Sequence, residues 1–150
     1  MNKKVFWTSV LDALSFALGA CGGKASPTPQ FQVAETPADS VEIPAEFRDL
    51  TNPVGTEPQA AEAGESVYGR YCAACHGEQG AGDGPASSGL NPAPKNLAAN
   101  EDSLSDGYLF WRISQGGMSA PFNSAMPAWQ NVITESEIWQ VITYLRTMGE

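Results

Sequence analysis

The sequence predicts an all-α domain over residues 62–150, preceded by an extended, proline-rich linker over residues 21–61. In three stretches between residues 62 and 149, apolar residues recur at the three- and four-residue steps of a helix. Two of these stretches open with a Ser or Thr three residues before an acidic residue, a signal for a helix start. No alternating pattern of strands and helices is present. We therefore expect one small helical core.

Residues 1–20 have the pattern of an export signal peptide, with two lysines before the mostly apolar residues 5–18. The small residues before Cys21 resemble the lipobox of bacterial lipoproteins, which predicts cleavage and lipid attachment at Cys21. The apolar run is shorter than the ~20 residues of a membrane-spanning helix, and it carries Asp12. Asp12 departs from the usual pattern, so an uncleaved signal anchor is the alternative. In either case we expect a periplasmic domain tethered to a membrane.

Residues 21–61 are rich in Pro, Ala, Thr, Ser and Glu, which is typical of a linker. A flexible linker of this length would place the domain roughly 35 Å from its anchor. The stretch 41–54 differs from its flanks, because it carries four apolar anchors: Ile43, Phe47, Leu50 and Val54. We expect this stretch to dock on a partner subunit. The alternative is packing against its own domain, which would protect it from limited proteolysis.

The first predicted helix, residues 62–75, runs into the motif Cys72-Ala73-Ala74-Cys75-His76. On one helical turn, two thiols at this spacing can each add to a vinyl group of a porphyrin, and the next imidazole then faces the iron. The pattern is the attachment signature of c-type haem. We predict one covalent haem c, anchored by Cys72 and Cys75, with His76 as the proximal iron ligand. A zinc site needs about four ligands, and only Cys21 remains among the other Cys and His residues.

Residues 77–100 contain five glycines and three prolines and are expected to turn irregularly around a flat ligand. A ligating imidazole normally donates its second N–H to a carbonyl. We expect the carbonyl of Pro92, of Pro94 or of a neighbour to accept it. A second helix is predicted from the capping signal at residues 103–106, and Arg112 on it either reaches a haem propionate or is an exposed charge.

The last predicted helix begins at a capping box, residues 134–137, and ends at Gly149. It carries an apolar stripe, formed by Ile138, Val141, Ile142 and Leu145. Gly64, on the first predicted helix, leaves room for another helix to cross closely. We expect Gly64 to meet Val141 and Tyr144, so that the two terminal helices close the domain.

A six-coordinate iron needs a second axial ligand, and the chain has no second histidine. A methionine thioether is the available choice among Met118, Met126 and Met148. Met126 is our predicted ligand, because Pro127 fixes the backbone after it and Trp129 can pack beside the ring. A soft thioether favours Fe(II) and raises the reduction potential.

The formal charge is −9, and removal of residues 1–20 leaves 6 basic and 16 acidic residues, a charge of −10. This balance argues against binding to nucleic acid and against electrostatic binding to anionic lipid. We expect a basic or neutral docking face on the redox partner. Alternatively, the acidic residues only keep an exported domain soluble.

Residues 60–149 resemble a class I, single-haem cytochrome c. The resemblance rests on four motifs in this order: Gly64-x3-Tyr68-x3-Cys72-Ala73-Ala74-Cys75-His76-Gly77, Gly80-x-Gly82-Asp83-Gly84-Pro85, Met126-Pro127-Ala128-Trp129 and Ile138-Trp139-x4-Tyr144-Leu145. It implies a compact all-α fold with a partly exposed haem edge. Electrons can then leave the protein without any exchange of atoms.

With the lipobox and the stretch 41–54, the whole chain resembles the monohaem cytochrome c lipoprotein subunit of bacterial alternative complex III, a quinol oxidoreductase. The resemblance implies a non-enzymatic subunit that takes electrons from a multihaem subunit. It would pass them to a soluble copper or haem protein, or to an oxidase. The alternatives are a free-standing lipid-anchored shuttle and a peroxidase-like or gas-binding haem protein. The last class needs an open iron site, and peroxidases of this type usually bring a second haem motif.

Overall fold

The computed structural model describes residues 41–99 and 103–149, and within these ranges all regular structure is helical. In chain order the helices are α1 (Ala45–Arg48), α2 (Pro58–Tyr71), α3 (Ala73–His76), α4 (Asp106–Gln115) and α5 (Glu135–Arg146). The all-α prediction is confirmed. Among the described residues, no helix has the length and apolar character needed to cross a membrane. The predicted signal peptide and Cys21 lie outside the described residues.

Helix α2 begins at Pro58, earlier than the predicted start at Glu62. Pro58 reads as a breaker in the sequence, but a proline in the first helical turn lacks only an N–H that would have no partner there. The Cys72 N–H donates to the Tyr68 carbonyl oxygen at 2.8 Å, so the chain continues from α2 into α3 with little interruption. The cysteine pair and His76 are therefore held by a rigid helical segment.

Helix α5 begins as predicted. The Thr134 hydroxyl accepts from the Glu137 N–H, and the Glu137 carboxylate accepts from the Thr134 N–H at 2.7 Å. Its apolar stripe forms the centre of the core, in which Ile142 is 0% exposed. Because the capping box satisfies the first free amides, this helix starts at a fixed residue and its stripe faces inward.

Helices α2 and α5 cross at Gly64, as predicted from the sequence. A Cβ at Gly64 would overlap the Gln140 carbonyl oxygen and lie 3.0 Å from the Tyr144 Cβ. The crossing point is thus Gln140 and Tyr144 rather than the predicted Val141 and Tyr144. The rings of Tyr68 and Tyr144 then meet at a centroid distance of 5.4 Å.

We expect Gly64→Ala to destabilise the protein by about 2 kcal/mol or more, because the added methyl group forces α2 and α5 apart. Gly69 lies on the same helix with no atom within 4 Å of an added Cβ. Gly69→Ala should therefore stabilise the protein by up to ~1 kcal/mol through helix propensity alone. Urea unfolding of both variants measures the two effects. Equal and small changes in the free energy of unfolding of the two variants would show that α2 and α5 tolerate a larger separation at their crossing.

Helix α4 is capped within the predicted signal at residues 103–106: the Ser105 hydroxyl accepts from the Tyr108 N–H. Its buried face carries Tyr108, Trp111 and Ile113. The helix ends at Gly116, which has a φ of +68° and lies directly against the backbone of Pro127. This contact joins the end of α4 to the loop that carries Met126.

Residues 41–57, which we call the N-terminal strap, pack against their own domain. Phe47 contacts Phe110 with a ring centroid distance of 6.2 Å. Gly107 has no side chain at the point where the Phe47 carbonyl oxygen approaches α4. Ile43, Leu50 and Val54 are partly buried against the same core. The prediction that this stretch docks on a partner subunit is therefore corrected in favour of the alternative.

Asn52 fixes the strap through hydrogen bonds that sequence patterns do not reveal. Its N–H donates to Asp106 Oδ2 at 2.9 Å, and its Nδ2 donates to Thr143 Oγ1 at 2.9 Å. The Thr143 hydroxyl in turn donates to the Gly55 carbonyl oxygen at 2.9 Å. These bonds satisfy a buried hydroxyl and tie the strap to both α4 and α5. The last part of the predicted linker thus belongs to the folded domain.

Candidate functional site

A cavity of about 480 Å³ lies between α2, α3, α4, α5 and the loops that connect them. Its volume is in the range of cofactor sites, and its walls are mostly apolar. The four predicted haem-binding residues all line it: Cys72, Cys75, His76 and Met126. Tyr71 and Trp129 form another part of the wall, with a ring centroid distance of 5.4 Å. The fold thus brings together residues more than fifty positions apart in the chain.

His76 lies at the end of α3, and its Nδ1 is 3.2 Å from the Lys95 carbonyl oxygen. Of the predicted acceptors, the neighbour is the one observed: the carbonyl oxygen of Lys95, next to Pro94, faces the imidazole, and those of Pro92 and Pro94 do not. Gly82 permits this arrangement, because a Cβ there would lie 2.5 Å from the Pro94 carbonyl oxygen. With the proton on Nδ1, Nε2 carries the lone pair that a metal takes.

Electrostatics at the two ends of α3 favour a haem site over a redox dithiol. Burial is the main cause that raises the pKa of Cys72 to about 12, with Cys75 a smaller contribution. Redox-active dithiols need a thiolate of depressed pKa, so the raised pKa of Cys72 disfavours disulfide exchange at this thiol. Burial also lowers the pKa of His76, against an opposing effect of its hydrogen bond to Lys95. The imidazole is thereby kept neutral, the form that binds a metal.

Met126 is held in the cavity wall by backbone hydrogen bonds at the end of α4. The Gly117 N–H donates to the Met126 carbonyl oxygen at 2.9 Å, and the Trp129 N–H donates to the Ile113 carbonyl oxygen at 3.1 Å. Met118 is 70% exposed, and it does not line the cavity. Met148 lies against Gly80 instead. Of the three candidates, only Met126 shares the cavity with His76, and its ligation of iron stays a prediction.

Arg112 is partly buried and lines the cavity, so the interpretation as an exposed helix charge is wrong. Its guanidinium lies 3.5 Å from the ring centroid of Phe122. Its Nη1 donates to the Gly116 carbonyl oxygen, and its Nη2 lies 4.0 Å from Met126 Sδ. Burial lowers the pKa of Arg112, and the nearby Tyr108 opposes this effect. The spacing of four residues from Tyr108 places both on one helix face, a signal that could have identified Arg112.

The residues that line the cavity fit a covalent haem. Two partly buried, unpaired thiols lie beside a neutral imidazole whose second nitrogen is already oriented. A thioether and a guanidinium occupy other parts of an apolar wall. Within the ranges 41–99 and 103–149, no cluster of three or more His, Cys, Asp or Glu residues could hold a metal ion by itself. A zinc site built from protein ligands therefore has no place among these residues.

Comparison with known proteins identifies the family of the chain. Residues 59–145 match the family model described as cytochrome C oxidase, cbb3-type, subunit III. The chain is 27% identical over 151 aligned positions to the cbb3-type cytochrome c oxidase subunit FixPc of Rhizobium leguminosarum bv. viciae, covering 95% of this chain and 49% of that protein. It is 28% identical over 102 residues to quinohemoprotein alcohol dehydrogenase ADH IIB of Pseudomonas putida, covering 68% of this chain and 13% of that protein.

The chain therefore spans about half the length of the first of these relatives and much less of the second. Among solved structures, the reducing HAO-like protein complex of Kuenenia stuttgartiensis aligns with a TM-score of 0.53 and 19% identity. That alignment covers 65% of this chain and 47% of the other, and it supports the fold alone. Because the family model covers more than half of the sequence, the chain belongs to the cytochrome c family described as cbb3-type subunit III, whose members are electron-transfer proteins with covalent haem c.

Proposed function

We propose that this chain is the membrane-tethered, single-haem electron-transfer subunit of a quinol:acceptor oxidoreductase of the alternative complex III type. The observation that carries the electron-transfer part is the position of His76 and Met126 in one apolar cavity with both cysteines. With His76 and Met126 both bound to it, the iron would offer no position to substrates or small molecules. The subunit then passes electrons and makes or breaks no bond in a substrate.

Haem c, when bound, supplies an iron that gains and loses one electron. The chain's own residues keep the structural change that accompanies electron transfer small. The Lys95 carbonyl oxygen fixes the orientation of the His76 ring, and the rigid α3 segment holds both thioether anchors. Apolar side chains around the cavity exclude water, which reduces the solvent reorganisation that accompanies a change of charge.

The identity of the complex rests on two features. The lipobox-like sequence before Cys21 supports a lipid anchor on the periplasmic side, and the single Cys-x-x-Cys-His motif supports one haem. The strap, which also entered the resemblance to alternative complex III, packs on its own domain and no longer supports partner docking. A second candidate is a subunit of a cbb3-type cytochrome c oxidase, which the family match and the likeness to FixPc favour.

Purification from native membranes tests this proposal. A tagged chain extracted in mild detergent is expected to bring with it a multihaem subunit and quinol-dependent reductase activity towards soluble copper or haem acceptors. Copurification with a subunit that reduces oxygen would favour the oxidase instead. A chain that comes off the membrane alone would be a free-standing shuttle.

A peroxidase-like or gas-binding function requires an open iron site. Carbon monoxide distinguishes this class, because a carrier with Met126 on iron should bind it poorly at neutral pH when reduced. Rapid binding by the unaltered protein would contradict the electron-carrier proposal.

A further inference from the structure

The Arg112 side chain connects the beginning, the middle and the end of residues 116–127, which we call the Met126 loop. Its Nη1 donates to the carbonyl oxygen of Gly116, where the loop begins. Its guanidinium stacks 3.5 Å from the ring centroid of Phe122 in the middle of the loop. Its Nη2 lies 4.0 Å from the sulfur of Met126 near the end. One side chain thus contacts the loop at three points.

The surroundings of Arg112 are shaped for a planar guanidinium. A Cβ at Gly117 would lie 2.5 Å from Nη2 and 2.9 Å from Nη1, so a larger residue there would displace the arginine. Arg112 is partly buried in the cavity wall, so salt screens its contacts less than those of a surface arginine. A guanidinium can stack on a ring and donate in two directions at once, whereas an ammonium cannot hold this arrangement.

We propose that Arg112 is the positioning residue that keeps the Met126 loop closed over the cavity, and that its charge raises the reduction potential of the bound iron. This inference rests on the proposed electron-transfer function and deepens it. A loop held at three points opens less often, so the Met126 sulfur leaves its position less often. A cation in the cavity wall also disfavours the ferric state, because that state carries one more positive charge than the ferrous state.

The test compares Arg112→Gln and Arg112→Lys with the unaltered holoprotein. For Arg112→Gln we expect carbon monoxide to bind the reduced protein about tenfold faster, which corresponds to about 1.4 kcal/mol in loop opening. The near-infrared sulfur-to-iron band should weaken, and the reduction potential should fall. Arg112→Lys keeps the charge but cannot stack and donate together. It should bind carbon monoxide faster than the unaltered protein while its reduction potential stays close to that of the unaltered protein.

Two further variants keep the result interpretable. Arg48→Gln removes an equal charge from the strap, where Arg48 pairs with exposed Glu42, and should change neither measurement. Phe122→Leu removes the stacked ring while Arg112 remains, so it should speed carbon monoxide binding without a change of reduction potential. This variant keeps the proposal testable if Arg112→Gln does not fold.

The proposal is overturned if Arg112→Gln, or Phe122→Leu where the former does not fold, binds carbon monoxide at the rate of the unaltered protein. It is also overturned if Arg48→Gln changes the potential as much as Arg112→Gln does. The haem content and the sulfur-to-iron band of the unaltered protein test the proposed function separately. A protein that has both, but shows no effect of Arg112→Gln, loses only the inference about Arg112.

Discussion

Met126→Ala is expected to abolish the near-infrared sulfur-to-iron charge-transfer band of the oxidised protein. The reason is that Met126 is the methionine, among the described residues, that lines the cavity together with His76. Loss of the thioether leaves one iron position to water or to an added ligand. The reduction potential should fall, because the soft ligand that favours Fe(II) is gone. The reduced variant should also bind carbon monoxide readily, as an open haem site does.

Met118→Ala is the matched control for this variant. Met118 lies in the same loop but is 70% exposed and outside the cavity wall, so its removal should leave the band, the potential and the carbon monoxide kinetics unchanged. Retention of the band in Met126→Ala would show that another residue ligates the iron. Loss of the band in Met118→Ala instead would assign the ligand to Met118.

A double variant, Cys72→Ser with Cys75→Ser, is expected to lose all covalently bound haem. The hydroxyl groups cannot form the two thioether bonds, and only the non-covalent bonds of the predicted iron ligands His76 and Met126 would then hold the cofactor. The apolar cavity of about 480 Å³ would then lack the macrocycle that fills it, so the free energy of unfolding should also fall. Haem staining after denaturing electrophoresis measures the covalent attachment, and urea unfolding measures the stability.

Cys21→Ser provides the control for the loss of a cysteine as such. It should keep the full haem stain and lose incorporation of labelled fatty acid, because Cys21 is the predicted lipid attachment residue and lies outside the haem motif. Haem staining that persists in the double variant would contradict the assignment of Cys72 and Cys75 as anchors. Fatty acid labelling that persists in Cys21→Ser would contradict the predicted lipid anchor.

Local signals placed the helices and the attachment motif, because each depends on residues close together in the chain. The capping box at Thr134 and Glu137 satisfies neighbouring amides, so it can be read from four residues. The same is true of the Cys-x-x-Cys-His motif, whose spacing reflects one helical turn. Local signals define the helix boundaries less well: Pro58 has the pattern of a helix breaker, although the first turn of a helix accepts proline.

Contacts between distant residues were predicted less well. The sequence predicts that the partner of His76 is the carbonyl of Pro92, of Pro94 or of a neighbour, and only the folded loop decides that the Lys95 carbonyl oxygen faces Nδ1. The sequence predicts that the strap docks on a partner subunit, because its four apolar residues have no packing partner in the linker itself. Their partners on α4 and α5 come close only in the folded domain. The bonds of Asn52 to Asp106 and Thr143 have no counterpart in any periodic pattern.

The sequence by itself determined the helical class and the haem attachment motif, and it predicts the proximal histidine and a methionine as second ligand. These conclusions follow from residue chemistry and short spacings. Only the tertiary structure decided which methionine lies in the cavity, where the strap packs and that Arg112 spans the Met126 loop. Those facts depend on which side chains meet after the helices pack, and the packing free energy of the whole core sets that arrangement rather than the preferences of any one segment.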